Sequence, residues 1–148
     1  MYRYATDNSR VFERRAPEVA AVIGDLESWN LWWPREVRFR IVQLSSQGVG
    51  SKFEVLLGGR SFSAELERVE LLRGYHWGLR EGAWRGRADW TLEPVEDHVK
   101  VKFALDVTVH PVLIGEHFLS AKDFSSKVSR LMKRVFDGMD HRAGELRP

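Results

Sequence analysis

From residue 37 to 109, apolar and polar positions alternate in short runs cut by turn residues, the two-residue period of strands buried on one face. Val37, Phe39 and Ile41 alternate with Arg38 and Arg40. "SSQGVGS" (45–51) breaks that run, and Lys52 to Leu57 forms the next one. Gly58-Gly59 reads as a two-residue hairpin turn, because both glycines accept positive φ. Beyond it Phe62, Ala64 and Leu66 alternate with Ser63, Glu65 and Glu67. Arg73-Gly74 turns the chain into "YHWGLR", Glu81-Gly82 turns it again, and Trp84 to Glu93 makes a longer strand ended by Pro94. The clearest alternation sets Val99, Val101, Phe103, Leu105, Val107 and Val109 against Lys100, Lys102, Asp106 and Thr108. Six such runs with short connections predict an antiparallel meander.

The ends carry a different period. "SRVFERR" (9–15) is a weaker first strand. Pro17 suits the first turn of a helix, "PEVAAVI" continues it, and Gly24 closes it. Leu26 to Trp32 makes a second short helix that stops near Trp33, because Pro34 disfavours helical angles in the residue before it. From about Leu119 to Arg142 the spacing predicts a long amphipathic helix, on the order of 36 Å at about 1.5 Å per residue. Phe124, Val128, Leu131 and Val135 form its apolar stripe, with Met132, Phe136 and Met139 beside them and Gly144 as its stop. The predicted fold is therefore α+β: one strand, two short helices, six antiparallel strands and a long helix. A sheet apolar on one face and a helix apolar on one stripe must cover each other, so the sheet is expected to curve around the last helix.

Composition adds bounds. The chain has 148 residues, enough for a single domain over 1–148 that buries roughly 70% of its unfolded surface. There is no cysteine, which excludes disulfides and thiolate chemistry and suits a reducing compartment. "MYRYATDNSR" has no apolar core of signal-peptide length, and no apolar run reaches the roughly 20 residues that span a bilayer. The expectation is a soluble, cytoplasmic protein with no integral membrane segment. Net charge is +2 and the pI about 9.1, but Arg and Lys are mixed with Asp and Glu along the chain, so no nucleic-acid partner is expected.

The order of elements and its motifs resemble the START/SRPBCC superfamily, the helix-grip fold of Bet v 1-like and polyketide-cyclase-like proteins. The residues that carry the resemblance are "APEVAAVIGDLESWNLWWP" (16–34), "GVGSKFEV" (48–55), "GAWRGRADWTLEP" (82–94) and the terminal helix. The resemblance implies a curved seven-stranded antiparallel sheet wrapped around the long C-terminal helix, with an apolar cavity between them. It does not imply one reaction, since fold does not fix function.

"DLESWNLWWP" (25–34) holds three of the six tryptophans. At spacing i, i+3 and i+4, Trp29, Trp32 and Trp33 share one face of a helical turn. They either plug the open end of the sheet or wall a cavity. Trp32 and Trp33 are read here as wall, and Trp29 equally as plug or wall. Trp77 and Trp90, with Phe53, Phe62 and Phe103, fall on inward strand positions, and aromatic faces with few polar groups among them are the usual lining of a small-molecule site. His110, at the end of the last strand, and Phe118, before the long helix, complete the expected ligand-binding set. Stacking on single-stranded nucleic acid is the competing use, and it needs exposed rings beside a basic groove.

Catalytic chemistry is less visible. His76, His98, His110, His117 and His141 form no recognised zinc spacing, and neither a metal nor a cofactor is expected. His76 is read as facing out, and His98 and His141 as solvated. His110 reads as a strand-end residue bonded to backbone or as a polar anchor or general acid–base at the cavity mouth; His117 is a weaker candidate. No serine has an identifiable His-Asp arrangement beside it. Arg85, Arg87 and Asp89 alternate with Trp84, Ala88 and Trp90 and read as the outer face, unless a bulge turns Arg87 and Asp89 inward. The leading functional expectation is binding of a hydrophobic or aromatic small molecule, such as a lipid, isoprenoid or polyketide-like compound. The alternatives are a cyclase/aromatase-type enzyme using the same cavity and a protein-interaction module. Whether the chain is an enzyme, and whether it forms a homodimer, stay open at this level.

Overall fold

The computed structural model describes residues 2–109 and 120–146. In chain order the elements are β1 (Tyr2–Phe12), α1 (Ala16–Gly24), a 3-10 turn (Leu26–Ser28), α2 (Trp29–Trp32), β2 (Val37–Gln43), β3 (Lys52–Leu57), β4 (Arg60–Glu70), β5 (Gly74–Gly82), β6 (Trp84–Val95), β7 (His98–Val109) and α3 (Ala121–Leu146). The strands form one seven-stranded sheet in the order β1-β7-β6-β5-β4-β3-β2, antiparallel at every pairing. This is the helix-grip arrangement that the sequence pattern and its resemblance imply.

Local chemistry sets the corners. Gly58 and Gly59 both have positive φ, 56° and 78°, which closes the β3–β4 hairpin with Leu57 opposite Arg60. In α1, Pro17 occupies the first turn, and the Glu18 carboxylate accepts a 3.2 Å bond from the Arg15 N–H, satisfying a donor that the helix start leaves free. Val19, Ala20, Val22 and Ile23 turn inward. α2 ends where Pro34 requires it: Trp33 is extended, with φ −75° and ψ 148°.

Two boundaries and one buried stripe differ from the sequence reading. β1 begins at Tyr2, not near Ser9. Its first half has little apolar alternation because it is an edge strand held by its ladder to β7 and by a fork from Arg3 to Asp106, with bonds of 2.8 and 3.1 Å. α3 runs through Gly144 to Leu146. A Cβ at Gly144 would stand 3.0 Å from the Arg14 guanidinium, which also bonds Asp140 at 2.8 Å, so that glycine makes room for an arginine rather than ending the helix. Leu131 is only partly buried, whereas Met132, one position on, is buried. The stripe that packs on the sheet is therefore Phe124, Val128, Met132, Val135, Phe136 and Met139.

α2 meets α3 at closest range through backbone. A Cβ on Gly138 would collide with the carbonyl oxygen of Trp32. Glycine costs roughly 1 kcal/mol inside a helix relative to alanine; here it lets the two helices touch and so fixes where the tryptophan segment lies.

Candidate ligand cavity

The inward side chains of β2 to β7, the tryptophan segment and the middle of α3 line a partly open cavity of about 100 Å³. Period-two alternation delivers the sheet's share: Phe53 and Val55 from β3, Phe62 and Ala64 from β4, Trp77 and Leu79 from β5 all point the same way. β6 adds Trp84, Ala88 and Trp90, and α3 covers them with Val128, Leu131 and Met132. No charged side chain is among these lining residues.

Trp29 is the hub of the ring cluster. It stacks on Trp33 with centroids 5.6 Å apart and 24° between planes, and meets Phe39 edge-on at 5.0 Å. Phe53 and Trp77 lie 5.3 and 5.6 Å from it. Its own indole N–H is satisfied by the Ile23 carbonyl at 3.1 Å. Trp77 in turn stacks flat on Phe53, at 5.3 Å and 10°, and Trp84 on Phe62, at 5.3 Å and 1°. Ring pairs of this kind contribute about 0.5–1.5 kcal/mol each beyond burial. Flat rigid rings packed edge to face also leave gaps that branched aliphatics would fill.

Trp33, Phe53, Phe62, Trp77, Trp90 and Phe103 all line the cavity. Trp32 does not, although it is buried. Trp33 has left the helix for an extended backbone, so its side chain does not continue the helical face of Trp32, although the two rings stay 5.6 Å apart. Trp29 and Trp33 line it together, and Trp32 meets Trp29 edge-on at 5.9 Å. His110, His117 and Phe118 fall outside the described residues. The ligand-binding set expected from the sequence left out Phe39, Trp84 and the α3 residues, although Trp84 falls on an inward strand position. Strand parity was the available signal for Phe39 and Trp84, since both share it with residues that were chosen.

The outer face of the sheet is ionic. Arg40 pairs with Glu54, Arg80 with Glu67, and Lys52 with Glu65. Arg87 and Asp89 lie there too, since β6 pairs with β7 without a register shift and turns Trp84, Ala88 and Trp90 inward; the bulge alternative does not occur. His76 is on this face but wedged rather than free: its Nδ1 lies 2.7 Å from Asp89 and its Nε2 2.8 Å from Glu70. The bond to His76, with Arg68 beside it, holds the Glu70 carboxyl below the usual carboxylate range. On the inner side, burial pushes the Tyr75 hydroxyl up; it donates to the Ala20 carbonyl at 3.2 Å and ties β5 to α1. Among the described residues no cluster of three or more His, Asp or Glu could hold a metal ion, and no helix is long and apolar enough to cross a membrane.

Solved structures share this architecture at low identity. TTHA0849 from Thermus thermophilus superposes with a TM-score of 0.77 at 17% identity, over 97% of this chain and 99% of that one. A START superfamily protein from Mycobacterium smegmatis gives 0.76 at 14%, over 97% and 99%. The Zhui aromatase/cyclase from Streptomyces sp. R1128 gives 0.76 at 12%, over 97% and 94%. At these identities the likeness is one of fold. No curated protein matches the chain in sequence. The family described as polyketide cyclase / dehydrase and lipid transport matches residues 5–144, and with the fold and cavity above this chain belongs to that family.

Proposed function

We propose that the protein binds a neutral hydrophobic or aromatic small molecule in the cavity between the sheet and α3. The observation that carries this reading is the lining itself: rings and aliphatic side chains, with no titratable group among the described lining residues. A cavity of about 100 Å³ is small beside the roughly 300–1,000 Å³ of typical ligand sites. A single-ring compound fits the space as it stands, and a lipid or polyketide-like compound requires the rings to part. The cyclase/aromatase reading ranks second, favoured by the likeness in fold to an aromatase/cyclase; it needs a proton-moving group at the cavity, which the described lining does not supply. Nucleic-acid binding has little support, because Arg3, Arg40 and Arg80 of the sheet, Arg10 and Arg14 beside α3, and Arg134 of α3 are paired with carboxylates.

The test titrates neutral aromatic hydrocarbons from toluene to naphthalene while following tryptophan emission and melting temperature. Binding is expected to perturb emission and raise the melting temperature, by about 2.7 kcal/mol of apparent stability at a hundred times the dissociation constant. Ala88→Leu, which fills the cavity from its wall, should abolish both effects. A folded Ala88→Leu protein that binds as tightly as the parent would place the ligand elsewhere and defeat the proposal.

A further inference from the structure

Two rings of the cavity wall are tied together by side chains rather than by a backbone ladder. β2 is an edge strand, paired with β3 on one side only. On its free side the Asn30 carboxamide stands in for a neighbouring strand: it donates to the Phe39 carbonyl at 2.7 Å and accepts from the Phe39 N–H at 2.9 Å. A carboxamide can do this because it carries both a donor and an acceptor, as a peptide unit does. Arg38, next to Phe39, spreads its guanidinium over the carbonyl oxygens of Asn30, Trp33 and Pro34, at 3.0, 2.9 and 2.8 Å, where the end of α2 leaves acceptors without helical partners. Trp33 and Phe39 themselves meet edge-on at 4.9 Å, and both line the cavity. With Leu57 and Leu131 they are its partly exposed lining residues, and the other lining residues are buried. Among the described residues, the cavity therefore nears solvent beside this pair.

Resting on the binding reading above, we infer that Asn30 and Arg38 are positioning residues that set the size of ligand the cavity admits, by holding Trp33 against Phe39. Neither lines the cavity, so they act through the two rings. The space of about 100 Å³ suits a single ring, so a larger ligand must part some of the wall. From β2 to β7 the wall is joined by backbone ladders, and α3 lies on it through a buried stripe. At the seam between α2 and β2, the Val37 N–H reaches the Pro34 carbonyl at 3.0 Å, and Asn30 and Arg38 add their side-chain bonds. Asn30 is exposed and Arg38 partly so. Bonds that water can replace contribute far less than their gross strength, so this latch opens and recloses more readily than a strand leaves its ladder.

The experiment compares toluene, one ring, with naphthalene, two fused rings, by calorimetry in the parent and in Asn30→Ala, Arg38→Lys and Arg10→Gln. Arg10 ties β1 to α3 by two side-chain bonds, to Asp137 and to the Lys133 carbonyl, and so controls for a tie lost elsewhere. In Asn30→Ala a two-ring ligand no longer has to break the latch, so its affinity relative to toluene should rise about fivefold, the size of one net hydrogen bond. Arg38→Lys keeps the charge but cannot span three carbonyls, and should raise the ratio less. Arg10→Gln should leave the ratio alone. In the parent, hydrogen exchange at the Phe39 amide should speed up with naphthalene and not with toluene, because parting the rings takes Asn30 away from it. That readout needs no variant to fold. An unchanged ratio in Asn30→Ala, the same rise in Arg10→Gln, or a Phe39 amide that naphthalene leaves protected would overturn the latch. If toluene binds while these signals fail, only the latch falls; if neither probe binds, the binding reading falls with it.

Discussion

The two ends of the interior are built on one sheet and behave differently. Where α1 and α3 cover β1, β7 and β6, the contacts are mostly branched and flexible aliphatics: Val19, Val22, Ile23, Val99, Val101, Val135 and Met139 are each at most 1% exposed. Where the tryptophan segment faces the sheet, clustered rings share the lining with aliphatic side chains, and about 100 Å³ stays empty. Protein interiors pack at close to crystal density when side-chain shapes interlock. Valine, isoleucine and methionine interlock in many ways; indoles and phenyl rings meet only in stacks and edges. Residue type, not backbone architecture, thus divides the molecule into an end that secures the fold and an end that leaves room.

The largest expected effect lies at the aliphatic end. Val135 is fully buried on α3. Val135→Asp puts an unpaired carboxylate among apolar neighbours, a cost comparable to the whole stability of about 5–15 kcal/mol. No cooperative melting transition should remain by circular dichroism; a variant that melts like the parent would mean that α3 does not pack on the sheet. Next comes the aromatic hub. Trp29→Ala removes a ring that meets six others, and chemical denaturation should show a loss of about 3–5 kcal/mol. A loss under about 1 kcal/mol would make the ring cluster a lining with no part in stability.

A matched pair of substitutions tests the division directly. Ala143 is 1% exposed at the aliphatic end of α3, while Ala88 borders the cavity. Ala143→Leu must force its methylenes into filled space and should destabilise by about 1–3 kcal/mol. Ala88→Leu places the same atoms into empty space and should change stability by less than about 1 kcal/mol, in either direction. Equal losses at both positions would show that the two ends are packed alike.

The sequence displayed this division only in part. Period-two alternation exposed every strand from 37 onward, because one face of each is apolar and the other ionic. β1 was half hidden, since an edge strand fixed by backbone pairing and an Arg3–Asp106 fork needs no apolar alternation. The ring-lined cavity was legible at Trp33, Phe53, Phe62, Trp77, Trp90 and Phe103, where parity and residue type agree. Trp32 was expected in the lining and is buried outside it, because the helix ends at Trp32 and Trp33 is extended, so the three tryptophans do not share one helical face. Gly138 carried no usable signal: a mid-helix glycine reads as a weak spot until the opposing carbonyl of Trp32 is seen.

The smallest effect concerns two exposed ion pairs. At the aromatic end Arg134 of α3 forks Glu36, one residue before Val37 of the cavity wall and one helical turn beyond Leu131. Arg3 of β1, by contrast, forks Asp106 of β7 within the sheet. In both, the bond to the arginine holds the carboxyl below its usual range. A depressed folded-state value gives stability that is fully present above the ordinary carboxylate pKa of about 4 and is lost as pH falls through the depressed value. Both pairs are exposed, so the effect is small and weakens with salt. Glu36→Gln and Asp106→Asn should each melt slightly below the parent at about pH 7, and each gap should close below about pH 4. The two variants should part company in ligand kinetics. Freed from α3, the start of β2 should let an aromatic probe leave the cavity faster in Glu36→Gln, as read by stopped-flow tryptophan emission. Asp106→Asn, whose fork runs between two strands and does not tie α3 to the sheet, should leave that rate alone. A melting gap that ignores pH would remove the ion-pair account, and equal release rates in the two variants would show that the Glu36–Arg134 fork does not guard the aromatic end.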